Sequence, residues 1–312
     1  MSTAGRNYIG SYRLIRMLRA SKTCQVWEAI HDLDKRKVVI KTLRENYIRD
    51  KAEINSLKHE FTVAGKFDNP FVIHVYEFEN FRGVAYLVLE FAISRNMKMA
   101  IRDGVEELAY WTPKIIEAGA KGLGYMHEQG WVHCDVKPDN FLLDTEGNLK
   151  LIDFSIAQKK KSGLGKLFGG GSKVNGNVQG TRSYMSPEQI RGAALDDRAD
   201  IYSYGCTIFE LISGKLPYTA TSPDHLLDKH LRSGIPSLQA ANDNVTSEFS
   251  SLVERMMAKD PKQRPDTMND VVRLLKNTKI YNIPPRKPAA LVEREKAAAA
   301  SGDDSTSTPG KS

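Results

Sequence analysis

Residues 133–140 read HCDVKPDN, and this segment carries more chemistry than any other part of the sequence. Two short apolar runs follow it, FLL at 141–143 and LKLI at 149–152, with the turn-forming residues TEGN between them, a pattern typical of a β-hairpin. A hairpin returns the chain close to its start, so we expect Asp153 to lie beside Asn140. Their oxygens would suit Mg²⁺, which prefers one or two carboxylates together with phosphate oxygens.

Asp135 and Lys137 lie ahead of the hairpin, on what we expect to be a loop. An aspartate there could handle a proton, and a lysine could offset a developing negative charge. For any one of these residues the alternative is a solvated turn without a function. For the whole set, which includes Asn140 and Asp153, that alternative is far less favoured.

The segment resembles the catalytic loop of protein kinases, H-R-D-L-x-x-x-N, which is followed by the metal-binding motif D-F-G. Here the second motif reads Asp153-Phe154-Ser155, so Ser155 replaces the family's glycine, and Cys134 replaces its arginine. The resemblance is to the eukaryotic-like, Hanks-type Ser/Thr kinases of the bacterial kind. It implies an α+β, two-lobed protein kinase fold, in which a small antiparallel sheet with one helix precedes a mainly helical lobe.

Lys41 ends the run VVIK and resembles the kinase lysine that holds the α- and β-phosphates of ATP. A solvated surface lysine is the other interpretation. The resemblance implies a helix glutamate that orients Lys41, and we favour Glu60 over Glu53 because Glu60 lies ten residues before Pro70.

The glycine-rich loop of the family, G-x-G-x-x-G-x-V, is degenerate in this sequence. If it ends on Val26, its glycine positions hold Arg19, Ser21 and Cys24. Glycines let the backbone approach phosphates closely. We therefore expect a stiffer loop, or one held further from the phosphates, and weak or unusual nucleotide binding.

Three later segments resemble the family again. GTRSYMSPE at 180–188 is similar to the substrate segment of Ser/Thr kinases, and DIYSYG at 200–205 to the buried helix whose aspartate holds the catalytic loop. KDPKQRP at 259–265 is similar to the late motif whose arginine pairs with the glutamate of the substrate segment. The resemblance therefore implies a structural ion pair between Glu188 and Arg264.

The resemblance also implies a role for each candidate residue. Asn140 and Asp153 would hold the metal, and Lys41, oriented by Glu60, would bind the ATP phosphates. Asp135 would contact the attacking hydroxyl, and Lys137 would neutralise the γ-phosphate during transfer. Thr181 would hydrogen-bond Asp135 and Lys137. The remaining ATP contacts would come from Leu18, Val26, Val39, Leu89, Glu90, Ala92 and Leu142. ATP and Mg²⁺, with Mn²⁺ as an alternative ion, are the expected cofactors.

The composition is ordinary for a soluble globular protein, with 312 residues, 41% hydrophobic and 27% charged. A net charge of +7 favours phosphate-bearing ligands or acidic substrates, although no segment resembles a nucleic-acid-binding module. Cys24, Cys134 and Cys206 have neither metal-site nor disulfide spacing, which indicates a reducing cytosol. No apolar run approaches the roughly 20 residues that span a bilayer. We therefore expect a cytoplasmic protein.

Hydrophobic periodicity predicts the order of the elements. Strands are predicted at 12–15, 25–30, 37–41, 73–79 and 84–90, and helices at about 51–66, 111–127, 200–213, 222–233, 247–259 and 267–277. The Gly- and Lys-rich segment 158–180 has no periodicity and is predicted to be mobile. The predicted domains are an N-terminal extension at 1–11, an N-lobe at 12–91, a C-lobe at 92–279 and a disordered tail at 280–312. A short helix at 291–300 and a docking partner for the tail are alternatives to a plain linker.

Three functions remain open at this point. An active Ser/Thr kinase acting on proteins is favoured because Lys41, Glu60, Asp135, Asn140 and the other groups that the chemistry needs are all present. A pseudokinase scaffold is the main alternative, and a small-molecule phosphotransferase is the third. Because Cys134 removes the arginine that receives a loop phosphate in the family, we expect the active geometry not to require phosphorylation within 162–183.

Overall fold

One antiparallel sheet forms most of the N-terminal lobe in the computed structural model, which describes residues 7–92, 94–160, 180–289 and 291–294. Its strands are β1 (Tyr8–Ile9), β2 (Tyr12–Ala20), β3 (Cys24–His31), β4 (Lys37–Leu43), β5 (Val75–Phe81) and β6 (Val84–Glu90). They lie in the order β1-β2-β3-β4-β6-β5, with every neighbouring pair antiparallel. The small antiparallel sheet predicted from the sequence is therefore confirmed.

The two faces of this sheet have different neighbours because side chains alternate along a strand. Val38 and Ile40 of β4 are fully buried on one face, in an apolar cluster that includes Ala29. Val39 and Lys41 therefore point to the opposite face, where both line a cleft between the lobes. The alternating pattern of β4 is what brings a lysine to that cleft.

Helix α1 (Lys51–Ala64) packs against the sheet and is the long helix of this lobe. It begins after Asp50, whose side chain accepts hydrogen bonds from the backbone N–H groups of Ala52 (2.9 Å) and Glu53 (3.4 Å). Glu60 lies on its buried face, among apolar residues at helical spacing. The helix ends two residues before the predicted end at residue 66.

The C-terminal lobe is mainly helical, as predicted. Its helices are α2 (Met97–Asp103), α3 (Val105–Ala109), α4 (Thr112–Glu128), α5 (Pro187–Ile190), α6 (Asp197–Ser213), α7 (Pro223–Arg232), α8 (Leu238–Ala241), α9 (Ser247–Met256) and α10 (Met268–Lys276). The sequence did not predict α2, α3, α5 or α8, because so few turns give too short a window for a helical period to be recognised.

Helix α6 forms the centre of this lobe, and its residues 199–212 are all buried. A helix that is buried all round is typical of the core of a large domain. It begins three residues earlier than predicted, after Asp196, whose side chain accepts a hydrogen bond from the backbone N–H of Arg198 (3.1 Å). It ends at Gly214, as predicted, where a φ of +71° suits a residue without a Cβ.

The predicted hairpin is present and consists of β9 (Phe141–Leu143) and β10 (Leu149–Leu151). The other short strands of the lobe are β7 (Arg95–Asn96), which pairs with β9, and β8 (Trp131–Val132), which pairs with β11 (Gln158–Lys159). The Ile73 N–H of the N-terminal lobe donates to the Leu151 carbonyl (3.0 Å). The hairpin therefore joins the two lobes directly behind the cleft.

Both lobes extend beyond the limits predicted from the sequence. Ile9, assigned to an N-terminal extension, is only 6% exposed and pairs with Tyr12. At the other end Tyr281, assigned to a disordered tail, is 6% exposed and forms an isolated bridge with Val245. Long-range packing of single apolar side chains stabilises both segments, and a local pattern does not reveal such packing.

Several predictions fall on segments that the structure covers only in part. Residues 291–294 are helical, while the rest of the predicted tail helix lies outside the described residues. Most of the segment predicted to be mobile, residues 161–179, also lies outside them. Within the described part of the chain, no helix is both long and apolar enough to cross a membrane.

Candidate active site

The buried carboxylate of Asp200 on α6 holds the loop that carries Asp135 in place. This carboxylate accepts hydrogen bonds from the backbone N–H groups of His133 (2.7 Å) and Cys134 (3.0 Å), and it lies 2.8 Å from Nε2 of His127. Burial alone would raise the pKa of Asp200, but these hydrogen bonds and the nearby imidazoles hold it below its usual value. An ionised Asp200 thus fixes the loop backbone, in which Cys134 adopts a φ of +67°.

Asp135 is the centre of a connected set of hydrogen bonds. Lys137 Nζ lies 2.5 Å from Asp135 Oδ2, and Asn140 Nδ2 lies 3.2 Å from the same oxygen. Thr181 donates to Asp135 Oδ1 from its backbone N–H (2.8 Å) and from its hydroxyl (2.9 Å). Lys137 also donates to the Thr181 hydroxyl (2.6 Å). The structure therefore brings Thr181 to the catalytic loop, although Thr181 and Asp135 are forty-six positions apart in sequence.

Lys41 lies between two carboxylates at the back of the cleft. Its Nζ is 2.7 Å from Glu60 Oε2 and 3.2 Å from Asp153 Oδ1, so it bridges α1 and the end of the hairpin. The competing candidate, Glu53, lines the cleft but forms no ion pair with Lys41. The arrangement connects the sheet, the helix and the C-terminal lobe through one ammonium group.

The ionised forms of Lys41, Asp153 and Glu60 are not equally favoured by their surroundings. Burial favours the neutral amine of Lys41, but the Asp153 and Glu60 carboxylates outweigh it and hold the pKa of Lys41 above its usual value. Burial also opposes ionisation of Asp153, yet Lys41 and the Ser155 hydroxyl hold the pKa of Asp153 below its usual range. Glu60 is the most buried of the three, and burial raises its pKa despite Lys41.

Asn140 and Asp153 are brought together by the hairpin. The backbone N–H of Ile152 donates to the Asn140 carbonyl (2.9 Å), which places Asp153 directly after this contact. No group of three or more His, Cys, Asp or Glu side chains with metal-binding geometry occurs among the described residues. One carboxylate and one amide fit Mg²⁺, because this ion usually keeps several waters and takes further oxygens from substrate phosphates.

The cleft above these groups has a volume of about 870 Å³. Every residue predicted to contact ATP lines it, namely Leu18, Val26, Val39, Lys41, Leu89, Glu90, Ala92 and Leu142. Both the backbone and the side chain of Glu90 are fixed by contacts. Its backbone N–H donates to the His74 carbonyl (2.9 Å), and its carboxylate lies 2.9 Å from Lys150 Nζ. The volume and the apolar walls are in the range of small-molecule and cofactor sites.

Cys24 lines the cleft, and Cys134 lies in the catalytic loop next to Asp135. Burial raises the pKa of Cys24, although Lys41 opposes the shift, and burial together with Asp200 raises the pKa of Cys134. Reactive cysteines have lowered pKa values. Both side chains are better explained as packing residues than as redox centres.

Gln189 is a contact residue that the sequence did not predict. Its Nε2 donates to the carbonyl of Cys134 (2.8 Å), the residue before Asp135, and its Oε1 lies 3.1 Å from the backbone N of Ser186. Ser186 and Gln189 also form a capping box at the start of α5. The signal was available as Ser-x-x-Gln, the spacing that such a box requires.

The predicted ion pair between Glu188 and Arg264 is present and buried. The guanidinium contacts both carboxylate oxygens, at 2.6 Å and 3.0 Å, and Arg264 is 2% exposed. Arg264 also donates to the backbone carbonyls of Ala258 (2.7 Å) and Arg198 (2.7 Å). It therefore connects α5, the start of α6 and the segment before α10, at a distance from the cleft.

A family model for the protein kinase domain matches residues 12–274. The chain belongs to the protein kinase domain family. Among curated proteins, this kinase domain is similar to Serine/threonine-protein kinase PrkC of Bacillus subtilis, with 29% identity over 267 residues, 86% of this chain and 40% of PrkC. It is also similar to Serine/threonine-protein kinase PknB of Mycobacterium tuberculosis, with 29% identity over 84% of this chain and 41% of PknB. The chain thus spans about two fifths of the length of these curated relatives.

Solved structures confirm the fold of the kinase domain. The crystal structure of the Mycobacterium tuberculosis PknI kinase domain matches with a TM-score of 0.64 and covers 89% of this chain and 99% of that chain. The sequence identity is 22%, so this likeness establishes the fold alone. The two-lobed architecture predicted from the motifs is correct.

The surroundings of Cys134 distinguish this kinase domain from the family pattern. Its side chain is 4% exposed and packs with Val132 and Ala199, against the partly buried Ile156 and Leu195. An apolar cluster therefore occupies the position where the catalytic-loop motif has an arginine.

Proposed function

We propose that this protein is a Ser/Thr protein kinase that transfers the γ-phosphate of ATP to hydroxyl groups of proteins. The observation that carries this proposal is the ion pair between Lys41 and Glu60 beside Asp153. In protein kinases the Lys–Glu pair and the metal-binding aspartate must both be in place for activity. Here Lys41 contacts both carboxylates, which supports a cleft whose N-terminal and C-terminal sides are aligned for catalysis.

Lys41 would bind the phosphates of ATP, with Glu60 fixing its position. Asn140 and Asp153 would hold Mg²⁺, for which Mn²⁺ could substitute. The chemistry that this ion supplies when bound is neutralisation of charge on the β- and γ-phosphate oxygens. Leu18, Val39 and the other apolar residues of the cleft would exclude water from the base and ribose.

Asp135 would accept a hydrogen bond from the substrate hydroxyl and direct that oxygen toward the phosphate. Lys137, 2.5 Å from Asp135, would offset the charge on the transferred group. Thr181 bonds both side chains, so the substrate segment and the catalytic loop are aligned before any substrate arrives. Such prior alignment is the main contribution that a protein makes to phosphoryl transfer.

A protein substrate is favoured over a small molecule by the position of residues 180–188. Thr181 of this segment is hydrogen-bonded to Asp135, so the segment would lie beside the substrate hydroxyl. Ser186 and Gln189 tie the same segment to the catalytic loop. A surface built this way from a 3₁₀ turn and a short helix suits a peptide chain better than a compact metabolite.

Phosphorylation of residues 162–183 is not required for the active geometry in this proposal. Cys134 and its apolar neighbours offer no cation to a phosphate. Thr181 bonds Asp135 directly, while Asp200 and Gln189 bond the backbone of the adjacent Cys134, and none of these bonds needs a modification. Single alanine substitutions of Ser162, Ser172 and Ser183 should leave the phosphorylation rate within about twofold of wild type. The measurement is initial rate with a generic protein substrate, and loss of activity in any one of the three would contradict it.

The second candidate is a pseudokinase scaffold, favoured by the absence of glycine at Arg19, Ser21 and Cys24. One experiment separates the two functions: incubation with labelled ATP, Mg²⁺ or Mn²⁺ and a generic basic protein, comparing wild type with Asp135→Asn. The matched control is Asp32→Asn, the same change at an exposed turn. An active kinase predicts label with wild type and Asp32→Asn only. Equal label with Asp135→Asn would refute the enzyme.

A further inference from the structure

The turn between β2 and β3, which would be the glycine-rich loop of the family, is closed by its own hydrogen bonds. The Ser21 N–H donates to the Cys24 carbonyl (2.8 Å), and the Cys24 N–H donates to the Ser21 hydroxyl (3.0 Å). Arg44 holds the turn from the side, since its backbone N–H donates to the Thr23 carbonyl (2.7 Å). Backbone N–H groups of a glycine-rich loop are free to cradle phosphates. Two of those in this turn are already used.

Strand register places a cation on the cleft face beside this turn. Arg19 of β2 pairs with Val26 of β3, and Val26 in turn pairs with Lys41 of β4. Cross-strand partners share one face of a sheet, with Cβ atoms about 4.5–5.5 Å apart. Arg19, Val26 and Lys41 therefore form one row on the face toward the cleft, and all three line it.

A register shift in β2 contributes to this placement. The pairing of β2 with β3 is irregular between Met17 and Arg19, so Leu18 is the extra residue. Such a bulge re-aims the neighbouring side chains. Leu18 and Arg19, which would alternate in a regular strand, both line the cleft.

Arg19 differs from the other cations of this face because it has no acidic partner. Lys41 pairs with Glu60 and Asp153, and Arg16 pairs with Glu28 (2.6 Å), which also lies 3.5 Å from Lys37 Nζ. The Arg19 guanidinium forms no hydrogen bond or ion pair with any residue in the described ranges. It is exposed and so is free to meet an anion that enters the cleft.

We propose that Arg19 binds the phosphate chain of the nucleotide and replaces contacts that glycine backbone N–H groups would otherwise make. This inference rests on the proposed function, because it takes ATP as the occupant of the cleft. The guanidinium presents several N–H donors in a planar fork that matches phosphate oxygens. The phosphates of the nucleotide would thus lie between two side-chain cations, Lys41 of β4 and Arg19 of β2.

Calorimetric binding of ATP and of adenosine tests this assignment, because only ATP carries the phosphates. Arg19→Ala should weaken ATP binding by about fivefold to tenfold, the range for a charge-assisted contact that is partly exposed to solvent. Adenosine affinity should be unchanged. Arg19→Lys should retain most of the ATP affinity. The control is Arg13→Ala, an exposed arginine on the same strand that does not line the cleft and should change neither ligand.

Each other outcome has a definite meaning. If Arg19→Ala and Arg13→Ala bind ATP equally well, Arg19 makes no phosphate contact and the inference is wrong. An equal loss of ATP and adenosine affinity would show that the substitution disturbs the sheet, which would also overturn it. If wild type binds neither ligand, the proposed function fails first and the inference fails with it. Added salt should narrow the difference between wild type and Arg19→Ala for ATP.

Discussion

Lys41 shows how single residues of this site combine structural and chemical roles. Among the residues that the structure describes, it is the one cation in contact with both Glu60, whose side chain is 1% exposed, and Asp153, whose side chain is 34% exposed. Because a carboxylate without a partner is costly to bury, Lys41 stabilises the fold as well as preparing a phosphate site. The two roles can be separated by comparing a substitution of Lys41 alone with one in which Glu60 is changed as well.

Replacing Lys41 with Met should abolish most activity and also destabilise the protein. We expect a loss on the order of 10²-fold in kcat, because a preorganised charge at the phosphates is removed. The free energy of unfolding should fall by about 3 kcal/mol, since Glu60 is left as an uncompensated buried acid. Adding Glu60→Gln should restore part of the stability and none of the activity.

Steady-state kinetics and chemical denaturation check both parts of this prediction. The control is Lys37→Met on the same strand, whose side chain is 57% exposed and whose contact with Glu28 is 3.5 Å long. Its effect on stability should stay below about 1 kcal/mol. A Lys41→Met protein that is inactive but fully stable would mean that the pair contributes nothing to folding.

At the scale of elements, α7 packs a neutral histidine against the central helix. His230 is fully buried, and its Nδ1 lies 2.9 Å from the hydroxyl of Tyr202 on α6. Its Nε2 has no hydrogen-bond partner among the described residues. Burial, together with the charge of Lys259, lowers the pKa of His230 to about 4. The contact between α7 and α6 is therefore sensitive to acid.

The unfolding free energy should fall as the pH is lowered from 6.5 toward 4. In that window the unfolded chain binds a proton at His230 and the folded chain does not, so protonation favours unfolding. The stabilisation is fully present above pH 6.5, and about 2–3 kcal/mol of it should be lost by pH 4. His230→Gln should remove this part of the pH dependence, as measured by urea unfolding at several pH values.

His225 provides the matched control for this measurement. It lies on the same helix and is exposed, so His225→Gln should leave the pH dependence as in wild type. Identical pH profiles for His230→Gln and wild type would show that His230 is protonated equally in both states, contrary to the prediction.

For the whole molecule, a few long-range polar contacts connect elements that the apolar core only brings near one another. Asp200 joins α6 to the catalytic loop, Lys41 joins the two lobes, and Arg264 joins α5 to the segment before α10. Arg264 is the largest fully buried side chain, and it is paired with Glu188. Such pairs specify one arrangement because a lost partner leaves a buried charge.

Arg264→Met should destabilise the whole protein by about 3–5 kcal/mol, because it leaves Glu188 without its partner. The double variant with Glu188→Gln should lose much less than the sum of the two single changes, as expected for residues in direct contact. Thermal denaturation gives both values. Arg273→Met, which breaks an exposed pair with Asp270, is the control and should cost less than about 1 kcal/mol. Equal losses for the two arginines would refute this account.

The functional side chains and the secondary-structure elements that carry them could be predicted from the sequence alone. The apolar run Val38-Val39-Ile40 predicted a strand that ends on Lys41, and the observed strand continues two residues further, to Leu43. The turn residues at 145–148 predicted the hairpin that brings Asp153 to Asn140. The family pattern implied Glu188–Arg264, and that ion pair is present. These features depend on residues within a few positions of one another or on motifs of fixed composition, so a linear pattern reveals them.

Contacts that depend on packing could be decided only by the tertiary structure. The family spacing already favoured Glu60 over Glu53, but the contact of Glu60 with Lys41 depends on which face α1 presents to the sheet. The bond from Gln189 to Cys134 joins residues fifty-five positions apart. The row formed by Arg19, Val26 and Lys41 depends on a bulge that shifts the register of β2. Helix rotation, register and burial are set by the whole core, because each maximises buried apolar area and hydrogen bonding together.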